Sequence, residues 1–164
     1  MACWTCSAPA ERSDGDLPVI LKARNVASVT PEELADLAHL RRARDFMDRE
    51  YAQPLNVTAM AQVALMSCAH FSRAFRAAYG ETPYTYLLTR RIERAKAFLR
   101  QGLSVTDTCL AVGCTFLGSF SSRFTEMVWQ TPSQYRIHDH SGLQALPTCV
   151  SRLATRPRRR PVLV

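Results

Sequence analysis

The chain is expected to be all-α: two helix-turn-helix subdomains joined by a long linker helix, with disordered N- and C-terminal arms. Three observations predict this. From residue 30 onward, apolar side chains recur at the i, i+3, i+4, i+7 spacing of one helix face. The stretch Leu55 to Gly80 then reads as two short helices around a turn that leaves room only for angled packing. Finally, the pattern returns: Phe71-Ser72-Arg73-Ala74-Phe75 is matched 49 residues later by Phe120-Ser121-Ser122-Arg123-Phe124. Thr82-Pro83-Tyr84-Thr85-Tyr86 is likewise echoed by Thr131-Pro132-Ser133-Gln134-Tyr135. The expected organisation is an arm over 1–29, a helical domain over 30–140 and a basic tail over 141–164. Within the domain, the first unit covers about 55–80, the linker helix about 83–101 and the second unit about 104–128.

Residues 1–29 have no sustained periodicity, and Pro9, Gly15 and Pro18 interrupt them. They contain no basic segment leading into a long apolar core, and no apolar run long enough for a membrane span follows anywhere. A cytoplasmic protein without a membrane segment is expected. Cys3 and Cys6 could give zinc two thiolates, but a structural site needs four ligands and no second Cys or His pair stands at suitable spacing. No metal and no cofactor are expected.

Thr30-Pro31-Glu32-Glu33 is a capping box with Pro at the first helical position, and Leu34, Leu37, Ala38, Leu40 and Arg41 continue a helix toward Tyr51. Arg41, Arg42 and Arg44 could touch phosphate, but Asp45, Asp48 and Glu50 follow closely, and such a mixed run reads as a solvated face. Asn56 caps the next helix, whose inner face is Val57, Met60, Ala61 and Ala64. Leu65-Met66-Ser67 turns the chain, and Ser67 caps a helix that buries Phe71, Ala74, Phe75 and Ala78. Ala69, Ser72, Arg73 and Arg76 share its other face. Such a face, small and hydroxylic with arginines, suits a DNA major groove, where Arg grips guanine and Ser contacts base or phosphate.

Gly80 stops that helix, and Thr82-Pro83 starts the linker, with Tyr84, Leu87, Leu88, Arg91, Ile92, Ala95, Phe98 and Leu99 on its apolar side. Ser104 caps the first helix of the second unit, Gly113-Cys114-Thr115 turns, and Leu117 to Met127 forms its second helix. A linker of this length would let the two second helices enter successive major grooves, so that one polypeptide does what a dimer usually does.

A chain of 164 residues with 47% hydrophobic content can bury a core, and a net charge of +7 favours a polyanionic partner. The tail 141–164 carries Arg152, Arg156, Arg158, Arg159 and Arg160 without an acid, five of the seven net charges. Such an arm adds sequence-independent affinity through counterion release. Six cysteines raise the alternative of a thiol enzyme. Cys109 and Cys114 fall on the inner face or turn of the second unit, and no phosphate loop or paired-carboxylate motif occurs, so no catalysis is expected.

The stretches HFSRAFRAAYGETPYTYLLTRRIERAKAFL, SVTDTCLAVGC, SFSSRF and TPSQYR, in this order and spacing over residues 31–137, resemble the AraC/XylS class of bacterial transcription regulators. The resemblance implies specific binding of double-stranded DNA near promoters and contact with RNA polymerase, with activation and repression both open as the outcome. It carries base contact onto Ala69, Ser72, Arg73 and Arg76. Family members usually add a ligand-binding or dimerisation domain, which the residues before Pro31 are too few to supply, so no small-molecule effector domain is expected and a stand-alone or truncated regulator is implied. The second unit departs from the pattern at Cys114, Phe116, Ser122 and Trp129, where the family has an aromatic, a capping Ser, an Arg and a Gly. Its outward positions, Gly118, Ser121, Ser122 and Thr125, offer no charge, so weaker docking is expected there. The competing expectation is an interaction protein, a decayed regulator that lacks tight operator binding.

Overall fold

The computed structural model describes residues 30–138. The arms expected over 1–29 and 141–164, with Cys3, Cys6 and the five tail arginines, lie outside the described residues.

Seven helices follow one another among the described residues: α1 (Pro31–Arg49), α2 (Val57–Val63), α3 (Cys68–Tyr79), α4 (Pro83–Arg100), α5 (Val105–Ala111), α6 (Leu117–Val128) and α7 (Pro132–Ile137). Their starts are set by side-chain caps. Thr30 and Thr131 form reciprocal capping boxes with Glu33 and Gln134, and Asn56, Ser67, Thr82 and Ser104 each accept from the backbone N–H three residues on. α7 is a further helix beyond the expected second unit, begun by the capping box that the Thr-Pro echo contains.

Two cores form, one in each unit. The first gathers Leu40, Ala43 and Met47 of α1 with Met60, Ala61, Phe71, Phe75 and Ala78, closed by Tyr86 and Leu87 of α4. The second gathers Ile92, Ala95 and Leu99 of α4 with Cys109, Val112, Phe120, Phe124, Met127 and Tyr135. α4, about 27 Å long at 1.5 Å per residue, therefore gives its first half to one core and its second half to the other. That shared use changes the expected stripes. Tyr86 is buried where Tyr84 is exposed, because Thr85 through Thr89 are enclosed nearly all round between the units. On α1 the buried face is Leu40, Ala43 and Met47, whereas Leu34 is exposed, since only the C-terminal half of that helix reaches the core.

The internal repeat holds in three dimensions. Phe71 and Phe75 lie 5.5 Å apart and Phe120 and Phe124 lie 5.9 Å apart; Tyr86 meets Phe75 edge-on at 5.7 Å as Tyr135 meets Phe124 at 5.6 Å. The offset is not uniform, however. N-caps Asn56 and Ser104 stand 48 residues apart, and N-caps Ser67 and Phe116 stand 49 apart, so the second turn holds one residue more than the first. Left-handed backbone makes both turns: Leu65 at φ 55° in the first, Gly113 at φ 73° in the second.

The last turn of α1 and the segment after it tie the units together. Asp48 is not part of a solvated acidic face, as its sequence neighbours suggest. Its carboxylate accepts from Tyr86 Oη at 2.9 Å and from Arg90 Nη2 at 2.7 Å, and Arg90 also reaches Glu93 at 2.7 Å. Arg91 donates to the carbonyls of Tyr51 at 2.8 Å and Gln53 at 2.7 Å, and the Tyr51 ring packs against both cores under Arg94.

Candidate nucleic-acid interface

α3 presents the face expected of it. Ser67 Oγ accepts from the His70 N–H at 3.3 Å, and Phe71, Phe75 and Ala78 are fully buried, which fixes the rotation of the helix about its axis. Ala69, Arg73 and Arg76 are then exposed and Ser72 half-buried, all four on one side. His70 Nε2 lies 3.4 Å from Asp36 Oδ2 and braces the start of α3 against α1. Neither Arg73 nor Arg76 takes part in the ion pairs found among the described residues, so both guanidinium groups stand ready for an outside acceptor.

α6 is rotated in the same way by Phe120, Phe124 and Met127, and it turns Gly118 and Ser122 outward with Ser121 and Thr125 half-buried. The two sets of four residues occupy separate helices on separate cores and are not brought together. The chemistry of α6 differs. Thr125 Oγ1 donates to the Ser121 carbonyl at 2.8 Å, which commits its proton inside the helix. Arg123 is held by Glu126 at 2.9 Å, so the one arginine of α6 carries no unbalanced charge. Ser121, Ser122, Thr125, Glu126 and Trp129 line a shallow groove, with Trp129 at φ 66° closing the helix where α3 ends on Gly80 at φ 77°.

Glu126 and Trp129 line this groove although neither is marked by helical spacing as an outward reader. Phe116, at 74% exposure, and Leu117, at 43%, stand at the head of α6. An aromatic at an N-cap position was the signal available for them.

The cysteines of this unit serve packing. Cys109 is buried and donates to the Cys114 carbonyl at 3.3 Å, and desolvation raises both thiols above their ordinary value, which disfavours a thiolate. Among the described residues no cluster of His, Cys, Asp or Glu could hold a metal ion, and no helix is long and apolar enough to cross a membrane.

A family described as a helix-turn-helix domain matches residues 60–137. An uncharacterised helix-turn-helix transcriptional regulator of Escherichia coli, YijO, is 31% identical over 106 residues, covering 64% of this chain and 38% of YijO. The chain spans between 12% and 51% of the length of the first curated relatives that it matches. Among solved structures, a transcriptional regulator of Chromobacterium violaceum with an AraC-type DNA-binding domain superposes with a TM-score of 0.58 at 27% identity, covering 68% of this chain and 96% of that one. The DNA-binding domain of AdpA, solved in complex with a target DNA, superposes with a TM-score of 0.57 at 24% identity, covering 59% of this chain and 88% of its own. With the two helical units, the shared α4 and these matches together, the chain carries a helix-turn-helix domain over residues 60–137 whose fold is similar to that of AraC-type DNA-binding domains.

Proposed function

We propose that this chain is a sequence-specific DNA-binding regulator of transcription whose helices α3 and α6 enter successive major grooves. The observation that carries the reading is the face of α3: a capped, rotationally fixed helix with Arg73 and Arg76 exposed outside the ion pairs of the described residues. Arg73 reads guanine through its O6 and N7 acceptors, Ser72 and Ala69 fit beside it, and Arg76 takes base or phosphate. The DNA complex of the similar AdpA domain supports double-stranded DNA as the partner. Gly118, Ser121, Ser122 and Thr125 form the second and weaker reader. The basic tail 141–164 adds affinity that is blind to sequence, and the similarity to AraC-type regulators supports RNA polymerase as a further partner.

Selection from a random duplex library with the full chain tests this. An enriched motif with two segments about 10 base pairs apart is expected, and a pool that stays random overturns the reading. A second reading, an interaction protein without tight operator binding, is favoured by one observation: the α6 surface shows Phe116, Leu117 and Trp129 and no unbalanced cation.

A further inference from the structure

The head of α6 departs from every other helix start among the described residues. The other six helices begin after Thr, Asn or Ser, whose side-chain oxygen accepts a backbone N–H; α6 begins after Phe116, which makes no such bond. The helix thus forgoes the stabilisation of a cap. Nor does Phe116 contribute to the core, since its ring is exposed and Leu117 beside it is partly so. Gly118 comes next, and a Cβ built on it would meet nothing within 4 Å, so neither packing nor a strained backbone calls for glycine there. Two exposed apolar residues therefore immediately precede the bare backbone of Gly118 at the head of the helix, with Ser121 and Ser122 one turn further on. These are the N-terminal positions at which the second helix of a helix-turn-helix meets base edges.

We infer that the head of α6 reads thymine-rich DNA, with Phe116 and Leu117 covering C5-methyl groups and the bare backbone of Gly118 letting the groove floor approach closely. Thymine is the one base that shows a methyl in the major groove, and apolar contact is how a protein recognises it. Ser121 and Ser122 add hydrogen bonds that suit any neighbouring base. The counterpart surface of α3 has Ser67, Cys68 and Ala69 in place of Phe116, Leu117 and Gly118, and Arg73 in place of Ser122. The two half-sites then differ in kind, one guanine-bearing and one thymine-bearing, which gives the whole site a direction that the internal repeat alone would not. The inference rests on the DNA-binding reading above and specifies what its second half recognises.

The test uses the full chain and a library-selected duplex on which footprinting has assigned the half-sites. Thymines of the α6 half-site are replaced by deoxyuridine, which pairs identically but lacks the methyl. Binding is expected to weaken about fourfold for each methyl that is buried, and the same replacement in the α3 half-site should change little. Phe116→Ser returns a capping oxygen to the N-cap position, so loss of folding does not confound it. It should bind the thymine duplex more weakly than the wild type and lose most of the distinction between thymine and uracil. Equal wild-type affinity for both duplexes overturns the inference, as does a distinction that survives unchanged in both Phe116→Ser and Leu117→Ser. DNA binding that Phe116→Ser leaves untouched overturns it too. If no duplex is enriched at all, the DNA-binding reading falls and takes the inference with it. An enriched duplex indifferent to uracil removes the inference alone.

Discussion

Gly113 lies so close to Ala52 that a Cβ on it would stand 2.1 Å from the Ala52 carbonyl oxygen. One contact thus joins the turn of the second unit to the segment that leaves α1, and glycine is required twice over, by the approach and by φ 73°. Gly113→Ala should therefore destabilise the domain by about 2 to 4 kcal/mol, combining left-handed strain with a backbone clash that no flexible side chain can relieve. Urea unfolding of the two proteins measures this. A loss under about 1 kcal/mol would mean that the segment yields and that the two units are not braced there.

Asp48 is the second brace. Asp48→Ala orphans the Tyr86 hydroxyl, buried in the first core, and removes one of the two acids held by Arg90. With the pair partly open to water and Glu93 still in place, the expected cost is about 1 to 3 kcal/mol. Asp48→Asn keeps an acceptor and should cost less, which a parallel denaturation series would reveal.

These two braces mark where sequence reading stops. Caps at Thr30, Asn56, Ser67, Thr82 and Ser104, and the Phe pairs of both second helices, are local signals, and each could be found within a few residues of the element it starts or anchors. The roles of Asp48 and Gly113 depend on partners 38 to 61 positions away, Tyr86, Arg90 and Ala52, which no window of helical length contains. Tyr84 was expected to be inside because it fits the helical period. Tyr86 is inside because α4 is enclosed by two cores, and periodicity describes only one. The outward residues of α3 and α6 were readable because burial of the aromatics dictates what remains exposed, whereas the loss of free charge on α6 needed the Arg123–Glu126 pair to be seen.

Lys96 gives the domain a pH signature. Burial, with Arg100 adding repulsion, lowers its pKa from 10.5 to about 8. The unfolded chain therefore holds this proton over the interval in which the folded chain has released it, so stability rises as pH climbs from about 8. Above about 9 the raised thiols of Cys109 and Cys114 and the raised Tyr86 hydroxyl oppose the rise, because they ionise more readily unfolded. Lys96→Met should be more stable than the wild type near pH 7, with the difference shrinking toward pH 9. Melting curves at a series of pH values check this, and a constant difference would show that Lys96 is solvated in the fold.

Ser122→Arg tests the weaker reader. Ser122 occupies the place that Arg73 holds in α3, and the added guanidinium should strengthen binding to a duplex with guanine at the facing position. Glu126, one turn away, competes for the new charge, so a gain of about 1 kcal/mol is expected, toward the low end for a guanine contact. Fluorescence anisotropy on matched duplexes measures it. Unchanged affinity on every duplex would count against docking of α6.

The most direct measurement is hydroxyl-radical footprinting of the full chain on its selected duplex, run beside Arg73→Ala. Two protected tracts are predicted on one side of the DNA, about 10 base pairs apart. Arg73→Ala should cost about 1 to 3 kcal/mol and relax the choice of base in one tract only. A single tract, or an equal loss on matched and scrambled DNA, would contradict the claim that two helices of one chain read successive grooves.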